Sequence, residues 1–406
     1  MNAKQQQPLV TPVMSGTRYI QVILAGIAAL ILTVGFSRFA YTPLLPLMLA
    51  QTELTKAQGS WLATFNYLGY LSGALLVAAI RQPQLKFRLY RLCLLLALAS
   101  TLGMGLTEHY WLWALLRYAG GIGSVAGLLL ASAFVLRWLA EQGYRPRLGL
   151  HFIGIGVGIA LPGLLIGVAS TWWCWHSFWQ LLALCGLLFA WPAWRWMPQP
   201  AALPASLIPQ AAGEQSADRY WLRAMLLAYF CAGFAFVVST TFVVVELETL
   251  PQFQHQGGWI WLAVGLVCAP AAVCWDLLAA KAGLIMATVL AYVLHLCACA
   301  LPLLSAEPGW HLLGALLFGA SFIGIVSLML TLAGQRFAQN ASAAMGKLTL
   351  SYGLAQILAP LLAGFLVQWT GNFRIMLLLS CLMLLSGLLV MIGLSWRQGT
   401  SVAARG

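Results

Sequence analysis

The chain has 406 residues, of which 62% are hydrophobic and only 7% charged. A water-soluble domain carries about 25% charged residues, so this composition excludes a protein whose whole surface faces water. The net charge of +12 would suggest nucleic acid on a soluble protein, but here an excess of Lys and Arg in the inner loops of a membrane protein accounts for it.

The start, MNAKQQQPLVTPVMSGTRY, is polar. The apolar run after it exceeds a signal-peptide core and has no cleavage site, so it reads as a retained first helix. Twelve candidate spans follow in two sets of six. The first set is 20–48, 57–80, 90–107, 110–138, 148–170 and 177–194; the second is 221–247, 257–277, 283–304, 310–333, 346–368 and 373–395. Each is long enough to cross a ~30 Å hydrocarbon core as a helix. Backbone groups in lipid must be satisfied within the segment, and the short alternating strands of a membrane barrel are not visible. Between the sets lies RWMPQPAALPASLIPQAAGEQSAD (195–218), rich in Pro, Ala and Gln. It reads as a linker. The expected division is a six-helix bundle over 1–194, a cytoplasmic linker over 195–220 and a second six-helix bundle over 221–406.

With the N-terminus inside, the inner segments hold clusters such as Arg81, Lys86, Arg88 and Arg91, while the outer segments hold only Lys56 and Arg374. Both termini are therefore expected in the cytoplasm. The outer stretch TWWCWHSFW (171–179) reads as an aromatic belt in the headgroup layer. Eight of the nine cysteines fall in apolar runs and read as small packing residues; Cys174 falls in an outer loop, and no disulfide framework is expected.

The two sets echo each other. Gly35 and Phe36 match Gly233 and Phe234, Gly59 and Trp61 match Gly257 and Trp259, and Pro162 matches Pro360, all 198 residues apart. Trp111 and Gly120 match Trp310 and Gly319 at 199. A near-constant offset over four helix pairs indicates a parallel repeat, related by an axis along the membrane normal.

Twelve spans, a 6+6 repeat, a long middle loop and cytoplasmic termini resemble the major facilitator superfamily over nearly the whole chain. RYAGGIG (117–123) is similar to that superfamily's Arg-xxx-Gly signature in the fourth helix. The stretches GFSRFAYTPLLP (35–46) and GSWLATFNYLGYLSGALL (59–76) resemble the first two helices of the YbfB-like transporters, a subfamily that brings no substrate with it. The resemblance implies an all-α membrane protein of two pseudo-symmetric six-helix bundles, and a secondary transporter working by alternating access. The loop RQPQLKFRLYR (81–91) departs from the superfamily's signature: its basic residues are present but the acid and the glycines are missing. Asp276 and Lys281, before Gly283, look like a partial version in the second half. They are gating candidates, with Gly121, Pro162 and Pro360. The run Gly154 to Gly158 with Pro162 and Gly163 loosely resembles the fifth helix of superfamily antiporters; close packing through small residues is the favoured reading.

Arg38 and Arg117 are the charges lying well inside spans. At ~1.5 Å rise per residue they sit ~13 Å and ~10 Å below the outer surface, so they can converge at one depth. An intramembrane charge costs at least ~2.5 kcal/mol and needs a partner. Guanidinium matches carboxylate or phosphate bidentately, so one reading is an anionic ligand. The other is structural: Arg117 bonding backbone carbonyls of a neighbouring helix, Arg38 pairing with a polar group. Thr33, Ser37 and Tyr41 recur at helical spacing beside Arg38. The expected cavity lining is Arg38, Tyr41, Asn66, Tyr70, Arg117, Ser124, Ser239, Tyr352 and Gln356. Glu246 is the candidate proton-coupling acid, with an ordinary outer carboxylate as the alternative. His151 and His295 read as packing histidines.

No HExxH, GxSxG or deep carboxylate pair is present, and the histidines are scattered, so no enzyme, metal site or cofactor is expected. The remaining alternatives are a drug or metabolite efflux pump with an apolar pocket, and a receptor or channel without a transport cycle. The expected partners are a small organic solute, weakly favoured as an anion, the bilayer of an inner membrane and protons, with no nucleic acid; a monomer is expected.

Overall fold

The computed structural model describes residues 16–200, 216–248, 250–337, 341–370 and 374–403. Twelve helices are formed among them: α1 Gly16–Gln51, α2 Lys56–Ala79, α3 Pro83–Met104, α4 Tyr110–Glu141, α5 Gly149–Ala169, α6 Trp175–Trp196, α7 Ser216–Glu248, α8 Gly257–Ala282, α9 Leu284–Leu304, α10 Pro308–Arg336, α11 Ala341–Thr370 and α12 Arg374–Ala403. All but α11 contain a stretch long and apolar enough to cross a membrane, and α11 itself runs 30 residues. The described residues contain no strand. Most of the linker lies outside the described residues.

Two expectations are corrected. The segment 81–91, read as an inner loop, is mostly helix. Pro83 opens α3, where its missing N–H costs nothing and its fixed φ favours the helix. Lys86 and Phe87 are consequently buried against the bundle. The outer stretch 171–179 is half helix as well: α6 begins at Trp175. Trp172 is exposed as a belt residue should be, but Trp175 and Trp179 are core residues, and Trp175 meets Trp113 edge to face at 5.4 Å.

Helices of the first half pack as α2 on α4, α3 on α4, and α1 on α5 and α6; in the second half α7 packs on α11 and α12, and α9 on α10 and α12. Two seams join the halves, α5 on α8 and α2 on α11. The glycines of α5 make this possible. A Cβ on Gly158 would lie 2.7 Å from Gly35 Cα, so that face admits only α1's backbone. The opposite face presses Gly156 on Ala269 of α8 so closely that a side chain there would collide with backbone. With both faces committed to helix contact, the glycine run is packing material.

Neither α1 nor α4 is a regular α-helix throughout. Ile31–Phe39 of α1 and Ala126–Ala131 of α4 are π-helical. Such widened turns recur at functional sites. The two segments touch: Gly127 N donates to Thr33 Oγ1 at 3.2 Å, while that hydroxyl donates to Ala29 O at 2.7 Å.

Candidate functional site

Arg38 lies in the π-helical part of α1, one residue on from Ser37 and so on a different face of the helix. Thr33, Ser37 and Tyr41 face the interior of the first half: Ser37 meets Ser100 of α3 at 3.3 Å and the Tyr41 hydroxyl donates to Gly59 O at 2.8 Å. Arg38 alone of this group faces the second half. Its Nη2 donates to Gln356 Oε1 on α11 at 2.9 Å. Tyr67 and Tyr70 of α2 lie 5.0 and 4.6 Å from its guanidinium carbon, and Phe39 lies at 5.6 Å. These rings stabilise a desolvated cation through their faces.

Arg117 does something else. Its Nη1 donates to Ser37 O at 3.0 Å and its Nη2 to Arg38 O at 3.5 Å. Tyr41 lies 4.3 Å beneath its guanidinium carbon. Asn66 Nδ2 in turn donates to Arg117 O at 2.8 Å. Arg117 therefore donates to two carbonyls of α1 beside Arg38 and fixes where Arg38 points. Arg38, Arg117, Asn66 and Gln356 are all buried, at 5%, 3%, 1% and 0% exposure. Among the described residues no carboxylate lies within salt-bridge distance of either arginine; the ion pair found is Arg137–Glu141, on the surface.

The other expected residues divide. Tyr352 belongs to the centre, 4.4 Å from Tyr229 and 5.6 Å from Phe236, centroid to centroid. Gly121 is pressed on Asn66's backbone so tightly that no side chain fits, and the Ser124 hydroxyl is spent on Gly121 O at 2.6 Å within its own helix. Ser239 is elsewhere. It meets Cys299 Sγ at 3.5 Å and lines a cavity of about 30 Å³ inside the second half with Pro302, His311, Phe318 and Leu377. That is room for a water or two, not for a solute. Glu246 lies on α7, but its side chain falls outside the described residues. His151 and His295 are held by serine hydroxyls, Ser132 at 2.9 Å and Ser321 at 3.0 Å. Among the described residues no three His, Cys, Asp or Glu come together to hold a metal.

Sequence reasoning missed the opposite wall. Phe236 of α7, Phe318 and Phe322 of α10, and Tyr352 form a contiguous aromatic face, with Phe318 and Phe322 stacked at 5.0 Å. It meets the arginine side through Phe39, which lies 6.1 Å from Phe236 and 6.4 Å from Trp261. The signal was available in the repeat: Phe236 follows Arg38 by 236 − 38 = 198 residues.

At one end of the seam, Asp276 Oδ2 of α8 accepts from Gly149 N, the first residue of α5, at 2.6 Å. Gln335 Nε2 donates to Pro146 O at 3.0 Å nearby. Both bonds cross between the halves. A carboxylate at a helix N-terminus is favoured by its unpaired N–H groups and dipole. Lys281 is exposed and Pro162 buried, while Pro360 is half-buried within α11.

Comparison with known proteins gives three results. The model of the family described as uncharacterised MFS-type transporter YbfB matches residues 30–392. A curated relative, the uncharacterized MFS-type transporter YcaD of Escherichia fergusonii, is 28% identical over 156 residues, an alignment spanning 38% of this chain and 40% of that relative. The crystal structure of the human organic anion transporter MFSD10 (TETRAN) superposes with a TM-score of 0.68, covering 95% of this chain and 100% of that one at 17% identity. At that identity the likeness shows the fold.

Proposed function

The chain belongs to the YbfB-type family of major facilitator transporters, and from that premise we propose that it carries a small organic anion across the membrane by alternating access, with Arg38 as the anion's contact. One observation carries this reading. A guanidinium is buried where the two halves meet, no acid pairs with it among the described residues, and its partner across the seam is a neutral amide. An intramembrane charge without an acid beside it marks a functional site by default, and Arg38, unlike Arg117, has no backbone carbonyl among its hydrogen-bond acceptors in the described residues. MFSD10, of like fold, is named an organic anion transporter, which is consistent with the reading.

The proposal extends to topology and coupling. The basic loops favour an inner membrane with both termini in the cytoplasm. The bundles divide at 194 and 221, and the chain works as a monomer with no nucleic-acid partner. Transport draws on the proton gradient through Glu246, a sequence-based candidate near the outer end of α7. Counterflow in proteoliposomes tests transport: internal anion accelerates uptake of labelled external anion, and Arg38→Gln abolishes the effect. Uptake that ignores an imposed pH gradient removes the proton.

A second reading is efflux of apolar compounds. The aromatic face of Phe236, Phe318, Phe322 and Tyr352 supports it. Counterflow by neutral or cationic amphiphiles, unaffected by Arg38→Gln, would favour it over the anion. A receptor or channel would give no counterflow at all.

A further inference from the structure

Among the described residues the centre has more unpartnered donors than unpartnered acceptors. Arg38 Nε, Arg117 Nε, Trp261 Nε1 and Gln356 Nε2 are buried N–H groups without a partner. Against them stands the bare acceptor Asn66 Oδ1; the Thr349 hydroxyl, which can serve either way, lies beside Tyr70. Buried polar groups are as a rule paired, so a set of bare donors marks a place for acceptor oxygens from outside.

Gln356 explains part of the surplus. An arginine offers donors only, so the carboxamide must turn its oxygen to Arg38 and its NH2 away. That NH2 is then one of the bare donors. A carboxylate at the same place would accept from Arg38 and leave no donor behind. The charge is also fixed. Arg117 is anchored through both terminal nitrogens to the carbonyls of Ser37 and Arg38 and keeps its bare Nε, so Arg38, whose partner across the seam is a neutral amide, is the cation placed to meet a ligand. Across the seam stands a face of rings, not of polar groups.

We propose that the substrate is an organic monoanion, an oxyacid group joined to a flat apolar body, and that Gln356 holds the place of its acid group while the site is empty. This rests on the reading of Arg38 as the anion's contact. The acid oxygens take over Arg38 Nη2 and draw in the bare Nε of Arg38 and Nε2 of Gln356. The bond that ties α1 to α11 is lost as they do so. The flat body lies on the rings of Phe236 and Phe322. Substrate binding and release of a contact between the halves are then one event, which is what alternating access requires of a ligand: a different interaction in each state.

The test is thermal melting of the detergent-purified protein with 2-naphthoate, acetate and 2-naphthamide, on wild type, Arg38→Gln, Gln356→Glu and Gln356→Ala. Ligands of the folded state raise the melting temperature by linkage. The expected result is a shift with 2-naphthoate, binding on the order of tenfold tighter than acetate, and none with 2-naphthamide. Gln356→Glu supplies the acid internally. It should melt above wild type without ligand and lose the naphthoate response. Gln356→Ala loses the Nε2 donor but adds no charge, so it should keep a smaller naphthoate shift than wild type; that remaining response shows that the loss in Gln356→Glu is not a folding defect. Naphthoate binding that survives Arg38→Gln overturns the anion reading and this proposal with it. Binding lost in Arg38→Gln but unchanged in Gln356→Glu overturns the place-holding role alone. Acetate binding as tightly as naphthoate overturns the flat body alone, and no shift with either acid in wild type overturns the proposed class.

Discussion

The two halves share a backbone plan and differ where they meet. Gly35 packs on Gly158 in the first half, and its repeat partner Gly233 packs on Tyr352 in the second. At the centre the correspondence breaks: Arg38 stands where the second half has Phe236, and Gly158 stands where the second half has Gln356 (356 − 158 = 198). One wall is cationic and the other aromatic. The repeat therefore conserves what holds helices together and varies what faces between the bundles. An asymmetric centre of this kind suits an asymmetric solute, charged at one end and apolar at the other.

The sharpest way to break this comparison is to treat the two arginines alike. Arg117→Met leaves the carbonyls of Ser37 and Arg38 in the π turn without their donor. The expected loss is roughly 3 kcal/mol, within the range for breaking a buried charged network, read as a lower melting temperature in detergent. Arg38 should behave in the opposite sense. The double variant Arg38→Met with Gln356→Leu removes both partners of one buried bond and strands neither. Replacing buried charge by apolar volume is neutral or stabilising by about 1–4 kcal/mol, so the double variant should melt at or above wild type while losing its response to anions. If both variants lost stability equally, the first half would hold two structural arginines and the cationic wall would have no functional meaning.

Much of this was legible in the sequence, and what was not has a physical reason. Composition and run length are enough to show a helical membrane protein, because lipid leaves so few solutions for the backbone. The constant 198-residue offset carries the internal repeat. Arg38, Asn66, Tyr70, Arg117, Tyr352 and Gln356 come together because charge and amide inside apolar runs must find each other. Two things misled. Helical spacing rightly put Thr33, Ser37 and Tyr41 on one face, but Arg38 is one residue on from Ser37, about 100° round the helix, and faces the second half instead. The aromatic wall was hidden because Phe and Trp in a membrane chain are too common to stand out singly. Ser239 misled for a related reason: its depth is right, but it looks into the second half, not between the halves.

A smaller effect sharpens the comparison at the seam. The acid that joins the halves sits on the second half alone, as Asp276, since the first half's corresponding loop has no acid. Asp276→Asn keeps an acceptor for Gly149 N but removes the charge at α5's N-terminus. The loss is about 1 kcal/mol, or roughly a fivefold change in how often the ends part. Ala272→Cys, buried under Gly149, reports this in a cysteine-free background. A membrane-impermeant thiol reagent should label it several-fold faster when Asp276→Asn is added. An unchanged rate would mean that Gln335 and the glycine seam alone keep that end closed.

The smallest effect lies at the repeat partners Gly59 and Gly257, where the two halves start a helix differently. In α2 a neutral capping box serves: Gln58 N donates to Thr55 Oγ1 at 3.2 Å and Thr55 N to Gln58 Oε1 at 3.0 Å. In α8 a carboxylate serves, with Gly257 N donating to Glu248 Oε1 at 2.8 Å. Burial pushes the Glu248 carboxyl above its ordinary 4.5, and the Gly257 N–H and His255 offset that only in part. An acid raised on folding favours the native state below its unfolded value, and that contribution is lost as pH rises through the folded value. Glu248→Gln keeps an acceptor for Gly257 and cannot ionise. It should match wild type near pH 4 and melt slightly above it at pH 7, by under about 1 kcal/mol because the group is partly solvated. Melting curves at the two pH values decide it. A wild type that gains on the variant as pH rises would mean that the helix-start bond outweighs burial, and that the charged cap of the second half is a stabilising feature, as the neutral cap of the first half is.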